Sequence, residues 1–222
     1  MKVVQIAAYY PPHIGGVEYC CRNISTQLAA RGHEVTVLTS TVGAGPRRTE
    51  RTANLVVRYL SGVEFAHTPI IPGLAGALLR ADRSSILHVH LSHVFSELVV
   101  FAVAKARRQP YVAHFHMDVD ASGKLGPAFL LYKATLLPFV VRGAAKVIAL
   151  SPEQRDLVVQ RYRARPQDVV VIPNGVGDEY FWDRPRAAAL RRPVRAAEEH
   201  PAVAARAAAD AQPGRADPGR GR

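Results

Sequence analysis

Near the N-terminus, Val3, Val4, Ile6, Ala7 and Ala8 make an apolar run of the length needed by a parallel strand covered on both faces. The run stops at Tyr9-Tyr10-Pro11-Pro12, and beyond it Val17, Cys20 or Cys21, Ile24 and Leu28 recur at helical spacing until Gly32 supplies a stop. Residues 34–39, with Val35, Val37 and Leu38, read as a second strand, so the first forty residues form a βαβ unit. The alternation continues along the chain. Residues 54–60, 86–90, 111–115, 146–150 and 168–172 have strand character; residues 74–80, 96–107 and 124–142 have helical character, and another helix opens at Ser151-Pro152-Glu153 with an N-cap and a first-turn proline. This order predicts an α/β fold: a single doubly wound, mostly parallel sheet of the Rossmann-like kind. Ligands in such folds bind outside the carboxyl ends of the strands.

The connection from the first strand to the first helix, Tyr9 to Glu18, is the candidate ligand loop. Pro11-Pro12 ends the strand, and Gly15-Gly16 lets the backbone turn and lie close to a neighbour with no Cβ in the way. The first amides of the helix then face outward and favour an anion, most often a phosphate. The same pair also suits a tight connection that only packs well. Gly43-Ala44-Gly45 mimics the start of a dinucleotide fingerprint, but Pro46-Arg47-Arg48 breaks the pattern and no helix opens there.

Five histidines gather at two predicted strand ends: His88, His90 and His93 at one, His114 and His116 at the other, with Asp118 close behind. Spacing of two puts each strand pair on one face. Adjacent strands would make a cluster able to bind sugar hydroxyls, stabilise charge or coordinate zinc; half-buried hydrogen-bonded histidines are the plainer alternative.

Charge narrows the partners. Residues 1–182 hold 20 Lys/Arg and 13 Asp/Glu, a balance of +7, and residues 183–222 hold 9 and 5, a balance of +4. A body that is basic without its tail suits a nucleotide, a phospholipid surface or nucleic acid. No nucleic-acid motif is present, so nucleic acid is not expected as a partner. The most apolar helical stretch, residues 125–141, falls short of the ~20 residues a membrane span needs. Flanked by Lys124 and Arg142 and carrying Lys133 mid-way, it is a candidate for peripheral contact with anionic membrane, together with Arg47, Arg48 and Arg51. Residue 1 runs into a strand after one Lys with no leader pattern, which predicts a cytoplasmic chain, peripheral at most on the inner face of the membrane. Cys20 and Cys21, the only cysteines, point about 100° apart as helix neighbours and read as packed thiols rather than a bond or metal site. From residue 183 onward 13 of 40 residues are Ala and 9 are Arg, with no aromatic, so residues 181–222 read as a disordered low-complexity tail behind a domain at 1–180.

Five segments occur together in order: Pro11-Pro12-His13-Ile14-Gly15-Gly16-Val17-Glu18, Leu28-Ala29-Ala30-Arg31-Gly32-His33-Glu34-Val35, Ala113-His114-Phe115-His116-Met117-Asp118, Val147-Ile148-Ala149-Leu150-Ser151 and Val171-Ile172-Pro173-Asn174-Gly175-Val176. In this combination the chain resembles the acceptor-side N-terminal domain of the retaining family 4 glycosyltransferases, one half of a GT-B fold. The resemblance implies transfer of a sugar from a nucleotide-sugar to a hydroxyl of a lipid, sugar or polyol, with no metal and no other cofactor. It places Gly15 and Gly16 under the donor phosphates and beside the acceptor, and His116 near the transferred sugar as the catalytic residue. His13, Asp118, Ser151 and Asn174 fall with the donor and acceptor contacts. His114, one pleat deeper, is expected to find partners within the protein.

The family's second domain would follow Asn174-Gly175, with two glutamates eight positions apart. Glu198 is followed eight positions later by Arg206 and Glu199 by Ala207, so the tail lacks the pair. The Ala/Arg/Pro/Gly bias there is what GC-rich DNA read in a wrong frame gives. The expectation is therefore a truncated transferase, inactive alone. The alternatives are an acceptor-binding subunit working with a separate donor domain, and a basic membrane-surface or nucleic-acid-binding protein.

Overall fold

The computed structural model describes residues 1–118 and 126–175, which belong to one compact unit, Met1–Gly175. The readings of Lys124 and of the tail from 181 onward lie outside the described residues. Strand β1 (Lys2–Ile6) is followed by α1 (Gly16–Ala30), β2 (Glu34–Ser40), β3 (Arg48–Arg51), β4 (Leu55–Leu60) and a hairpin of β5 (Val63–Phe65) and β6 (Thr68–Ile70). Then come α2 (Leu74–Leu79), β7 (Ile86–Leu91), α3 (Val94–Arg107), β8 (Tyr111–Phe115), α4 (Gly126–Thr135), α5 (Leu137–Gly143), β9 (Lys146–Ala149), α6 (Pro152–Tyr162) and β10 (Val169–Val171).

Eight of the strands form one sheet in the order β10-β9-β8-β7-β1-β2-β4-β3, parallel throughout except for β3. The chain steps outward from β1 through β2 to β4, then returns to the other side of β1 and steps through β7, β8, β9 and β10. Order therefore reverses between β1 and β7, and that reversal opens a crevice at the carboxyl ends of these two strands.

Right-handed crossovers in opposite directions put α1 on one face and α2, α3, α5 and α6 on the other. The larger core lies on the second face: Val4, Ile6, Leu87, Val89, Ala113, Phe115, Val147 and Ala149 pack against Leu74, Leu78, Val100, Val140 and Val158. On the α1 face, Ala7, Val37, Val57 and Tyr59 pack with Cys21. Strand alternation sends Gln5, His88, His90 and His114 to this α1 face, and all four are buried.

The elements differ from the sequence reading in three places. Strand β3, Arg-Thr-Glu-Arg, has no apolar alternation and exists because its backbone pairs with β4, Arg48 opposite Tyr59 through Arg51 opposite Val56. The β5–β6 hairpin turns at Ala66 and His67, both at positive φ, without the glycine that usually marks such a turn. The helix read at 124–142 is two helices broken at Leu136. Pro138 has no N–H to continue the ladder, and instead sits in the first turn of α5, where none is needed. No helix among the described residues is long and apolar enough to cross a membrane.

The membrane reading also needs correction. Lys133 is 4% exposed and ion-paired with Asp118, so it cannot offer its charge to a surface. Arg48 lies over the Tyr59 ring at 3.6 Å and bonds Glu50. Its strand is five positions from β8 in the sheet, about 24 Å at the usual strand spacing, so Arg47, Arg48 and Arg51 are not part of one patch with α4 and α5.

Candidate functional site

The loop after β1 is anchored on both sides. Ser40 donates its hydroxyl to the Ala8 carbonyl at 2.7 Å, and Tyr59 donates to the Pro11 carbonyl at 2.6 Å. The Tyr9 ring then stacks on His13, centroids 4.2 Å apart, and meets His93 edge-on at 4.9 Å. His93 is the N-cap of α3, so this contact ties the β1 loop to the β7 loop across the crevice. His13 also packs against Gly43, which has φ +66° and where a Cβ would come within 2.9 Å of the His13 ring. Gly43 thus serves a tight approach and no nucleotide fingerprint.

Gly15 caps α1 in extended geometry with no side-chain hydrogen bond. The amides of Gly16, Val17 and Glu18 precede the first intrahelical bond, from Tyr19 to the Gly15 carbonyl at 3.1 Å, and remain for another acceptor. A Cβ on Gly16 would meet nothing within 4 Å, so the approach to these amides is open. At Gly15 a Cβ would run into the Glu18 carboxylate. Glu18 is buried and its Oε1 lies 3.0 Å from His13 Nδ1, close enough for charge pairing although off the direction a hydrogen bond requires.

At the ends of β7 and β8 the expected imidazole cluster forms. His90 pairs with His114 in register, and His88, His90, His114 and His116 stack with centroids 4.2 to 5.4 Å apart. His90 spans two hydrogen bonds, Nε2 to Gln5 Oε1 at 2.9 Å and Nδ1 to His116 Nε2 at 2.8 Å. His114 reverses the sequence expectation: both of its ring nitrogens are buried and without a hydrogen-bond partner. Two strand positions that share a face need not share partners, and here the one at the sheet's edge found them. Burial, aided by neighbouring rings, pushes His88 and His116 down to about 3, and burial takes His114 down to about 4. His90 lies well below its usual range for the same reasons. The rings are therefore neutral at pH 7, able to donate or accept a hydrogen bond but carrying no charge.

Two sets bring three ligand atoms within 4.8 Å: Cys20 with His114 and His116, and His88 with His90 and His114. Cys20 thus lies against the cluster, a placement its helix spacing did not show. Its thiol is pushed up to about 11 by burial. The histidine planes are tilted by only 14° to 29°, and a zinc ion must lie in the plane of each ring about 2.0 Å from its nitrogen. Near-parallel rings at these separations do not share such a point, so the rings as arranged are stacked, not coordinating.

The remaining predicted site residues lie at the same edge but are largely occupied. Asp118 receives bonds from Arg161 at 2.7 Å and Tyr162 at 2.6 Å besides its pair with Lys133. Burial opposes its charge, yet these partners hold its carboxyl below the usual range. Asp118 therefore anchors α4 and α6 to the end of β8. Ser151 accepts the Gln154 amide as N-cap of α6. Gln154 returns the bond by accepting from the Leu150 amide at 2.8 Å and donates from Nε2 to the His116 carbonyl at 2.9 Å. Its spacing from Ser151 is that of a capping box, a signal present in the sequence. Asn174 is exposed and accepts from Cys20 Sγ at 3.2 Å. Glu97, fully buried in the first turn of α3 and bonded by Tyr132, is pushed up to about 8 by burial.

Set against known proteins, the sequence profile described as Glycosyltransferase Family 4 matches residues 14–180, three quarters of the chain. The chain belongs to glycosyltransferase family 4. Among curated relatives it is 26% identical over 187 residues to a phosphatidylinositol N-acetylglucosaminyltransferase subunit of Arabidopsis thaliana, covering 82% of this chain and 41% of the relative. It is 28% identical over 188 residues to D-inositol 3-phosphate glycosyltransferase of Frankia alni, covering 75% and 45%. This family 4 chain thus spans less than half the length of these two relatives. In fold it is similar to Anabaena Alr3699/HepE in complex with UDP-glucose, TM-score 0.58 at 18% identity over 86% of this chain and 49% of that one. Sucrose-phosphate synthase of Thermosynechococcus elongatus gives 0.59 at 18% identity over 86% and 53%. The α/β sheet described above is the Rossmann-like half that these GT-B transferases share.

Proposed function

We propose that the chain contributes the acceptor-side half of an enzyme that moves a sugar from a nucleotide-sugar to a hydroxyl group. The observation that carries this reading is the uncapped start of α1, open at Gly16 and lying at the sheet's point of order reversal. Charge develops on the leaving phosphate as the sugar bond breaks, and preorganised amides stabilise it without reorganising. The sugar itself becomes oxocarbenium-like, and neutral His116 offers a polar contact at that centre. Gly15 and Gly16 take the phosphate side, with His13 holding the loop and Asn174 at the entrance; Asp118 and Ser151 position β8 and α6. Both curated relatives bear inositol in their names, which supports a lipid or polyol hydroxyl as acceptor.

The nucleotide-binding half comes from a further domain, either continuous with this one or separately encoded, so the 222 residues alone bind without turnover. The short span against both relatives favours this, and equally suits a two-chain enzyme. The test is transfer or hydrolysis from a panel of nucleotide-sugars at high protein concentration, with Gly16→Trp as control. Turnover by the isolated chain above that control overturns the division of labour.

The partner surface is proposed to be the inner face of an anionic membrane. Leu130, Leu131, Leu136 and Phe139 are 50%, 64%, 45% and 61% exposed on α4 and α5. Apart from the buried Lys133, residues 126–175 carry six Lys/Arg and three Asp/Glu, a local balance of +3 that complements anionic headgroups.

A further inference from the structure

Gln5 is the one polar residue in the apolar β1 run, and it is completely buried. Burying an amide in a strand covered on both faces is costly unless its hydrogen bonds are made. Only one end of this amide has a partner: Oε1 meets His90 Nε2, while Nε2 of the amide meets none. From that contact a chain of consequences runs to the candidate site. An amide oxygen can only accept, so His90 must carry its proton on Nε2. A neutral ring has one N–H, so His90 Nδ1 is bare and accepts. The atom facing it is His116 Nε2 at 2.8 Å, which must therefore donate. His116 is then left with a bare Nδ1, which has no hydrogen bond among the described residues.

We propose that Gln5 and His90 are positioning residues that fix His116 as the Nε2–H tautomer and present its Nδ1 as a hydrogen-bond acceptor. This rests on His116 acting at the proposed transfer site. An acceptor at Nδ1 fits a donor on the substrate side, a sugar or acceptor hydroxyl, and not an anionic phosphate oxygen. The partition of roles follows: the α1 amides take the anion, and His116 takes an O–H. The relay needs neutral rings, since a proton on His90 would set its Nδ1–H against His116 Nε2–H, and a proton on His116 would fill the Nδ1 that is to accept. Burial supplies that condition across the neutral range.

The test reads the tautomers directly, with no substrate. The 222-residue chain is labelled with ¹⁵N-histidine, and two-bond ¹H–¹⁵N correlations at pH 7 are assigned with His116→Gln and His90→Gln. Both rings are expected as Nε2–H with bare Nδ1. Either ring appearing as Nδ1–H overturns the proposal, because the amide would then be donating and the relay would run in reverse. The wild-type spectrum decides this whether or not a variant folds. The role of Gln5 is read with Gln5→Met, which keeps the volume and removes the acceptor. His90 should then populate both tautomers, and an unchanged His90 pattern would overturn the positioning role. In a chimera restoring the donor half, Gln5→Met should lower kcat roughly 10-fold or more with little change in KM, as other partners that orient a histidine do. If His116→Ala leaves the chimera fully active, the transfer role of His116 fails while the tautomer result stands by itself.

Discussion

Lys133 on α4 is buried beside Asp118 at the end of β8, and the two form an ion pair that also receives Arg161 and Tyr162. The pair joins three elements that no local pattern connects. Removing Lys133 leaves Asp118 with Arg161 and Tyr162, so the loss is that of one buried charge-assisted bond, about 1.5–3 kcal/mol. Lys133→Ala is therefore expected to lower the urea midpoint strongly at unchanged m. A change within about 0.5 kcal/mol would show that water reaches the pair.

Stability should peak near pH 7, just above the ordinary histidine value of about 6.5. Burial first, and then neighbouring charges, depresses His93 to about 4, much as the four stacked rings are depressed. Below the unfolded value of about 6.5 the unfolded chain takes up protons that the folded chain refuses, so stability falls as pH falls, by up to about 1.4 kcal/mol per pH unit per ring. Glu97 acts in the opposite sense. Its folded value near 8 lies above the unfolded one, so the stability it contributes at low pH is lost as pH rises from about 4.5 to 8. The five rings dominate below about pH 7 and Glu97 above it. Denaturant melts from pH 5 to 8.5 read the curve, and a flat profile from 5 to 6.5 would mean that the rings are not buried in solution.

Binding to lipid should depend on the α4–α5 face and not on Lys133. Vesicles with anionic phospholipid should pellet the chain at low salt, and Leu131→Asp with Phe139→Asp should abolish pelleting while the fold survives, since both side chains are exposed. Equal pelleting by neutral vesicles, or none by anionic ones, removes the membrane from the proposal.

The parts legible in the sequence were those with a period. Alternation in β7 and β8 correctly put His88, His90, His114 and His116 on shared faces, and the apolar runs located the central strands. What escaped was non-local. Nothing in Arg48-Thr49-Glu50-Arg51 marks a strand, because its pairing is decided by the free edge of β4. The capture of Lys133 by Asp118 joins residues fifteen apart in sequence, and the hydrogen bonds that distinguish His116 from His114 run through His90 to Gln5, 85 positions from it. Gln5 itself was visible as a polar break in an apolar run, the kind of mismatch that marks a functional constraint.

The glycine loop gives a graded series. Gly16→Ala should leave nucleotide-sugar use in a chimera nearly intact, because its Cβ meets open space. Gly15→Ala should cost more, since the new methyl displaces Glu18 and with it the His13 contact. Gly16→Trp should abolish transfer by covering the α1 amides. Steady-state kinetics rank the three, and an order with Gly15→Ala mildest would place the donor phosphate elsewhere.

His116 and His114 should separate cleanly in the same chimera, on grounds that the stack supplies. His116 has one nitrogen committed to His90 and lies where β8 leaves the sheet, its carbonyl held by Gln154. Its loss removes a polar contact at the centre where charge develops, which typically costs 10²–10³ in rate, about 2.7–4 kcal/mol. His114 has neither nitrogen partnered and is buried, so its polarity is a standing cost in the fold, roughly 1–3 kcal/mol for each unmet group. Replacing it with an apolar ring of similar size keeps the stack filled and removes that cost. His114→Phe is therefore expected to be neutral to stabilising and to keep most of the turnover, whereas His116→Phe loses it in a folded enzyme. If His114→Phe were the inactive one, the two rings would have exchanged roles. The acceptor contact would then lie one pleat deeper, on the side where Cys20 meets the cluster.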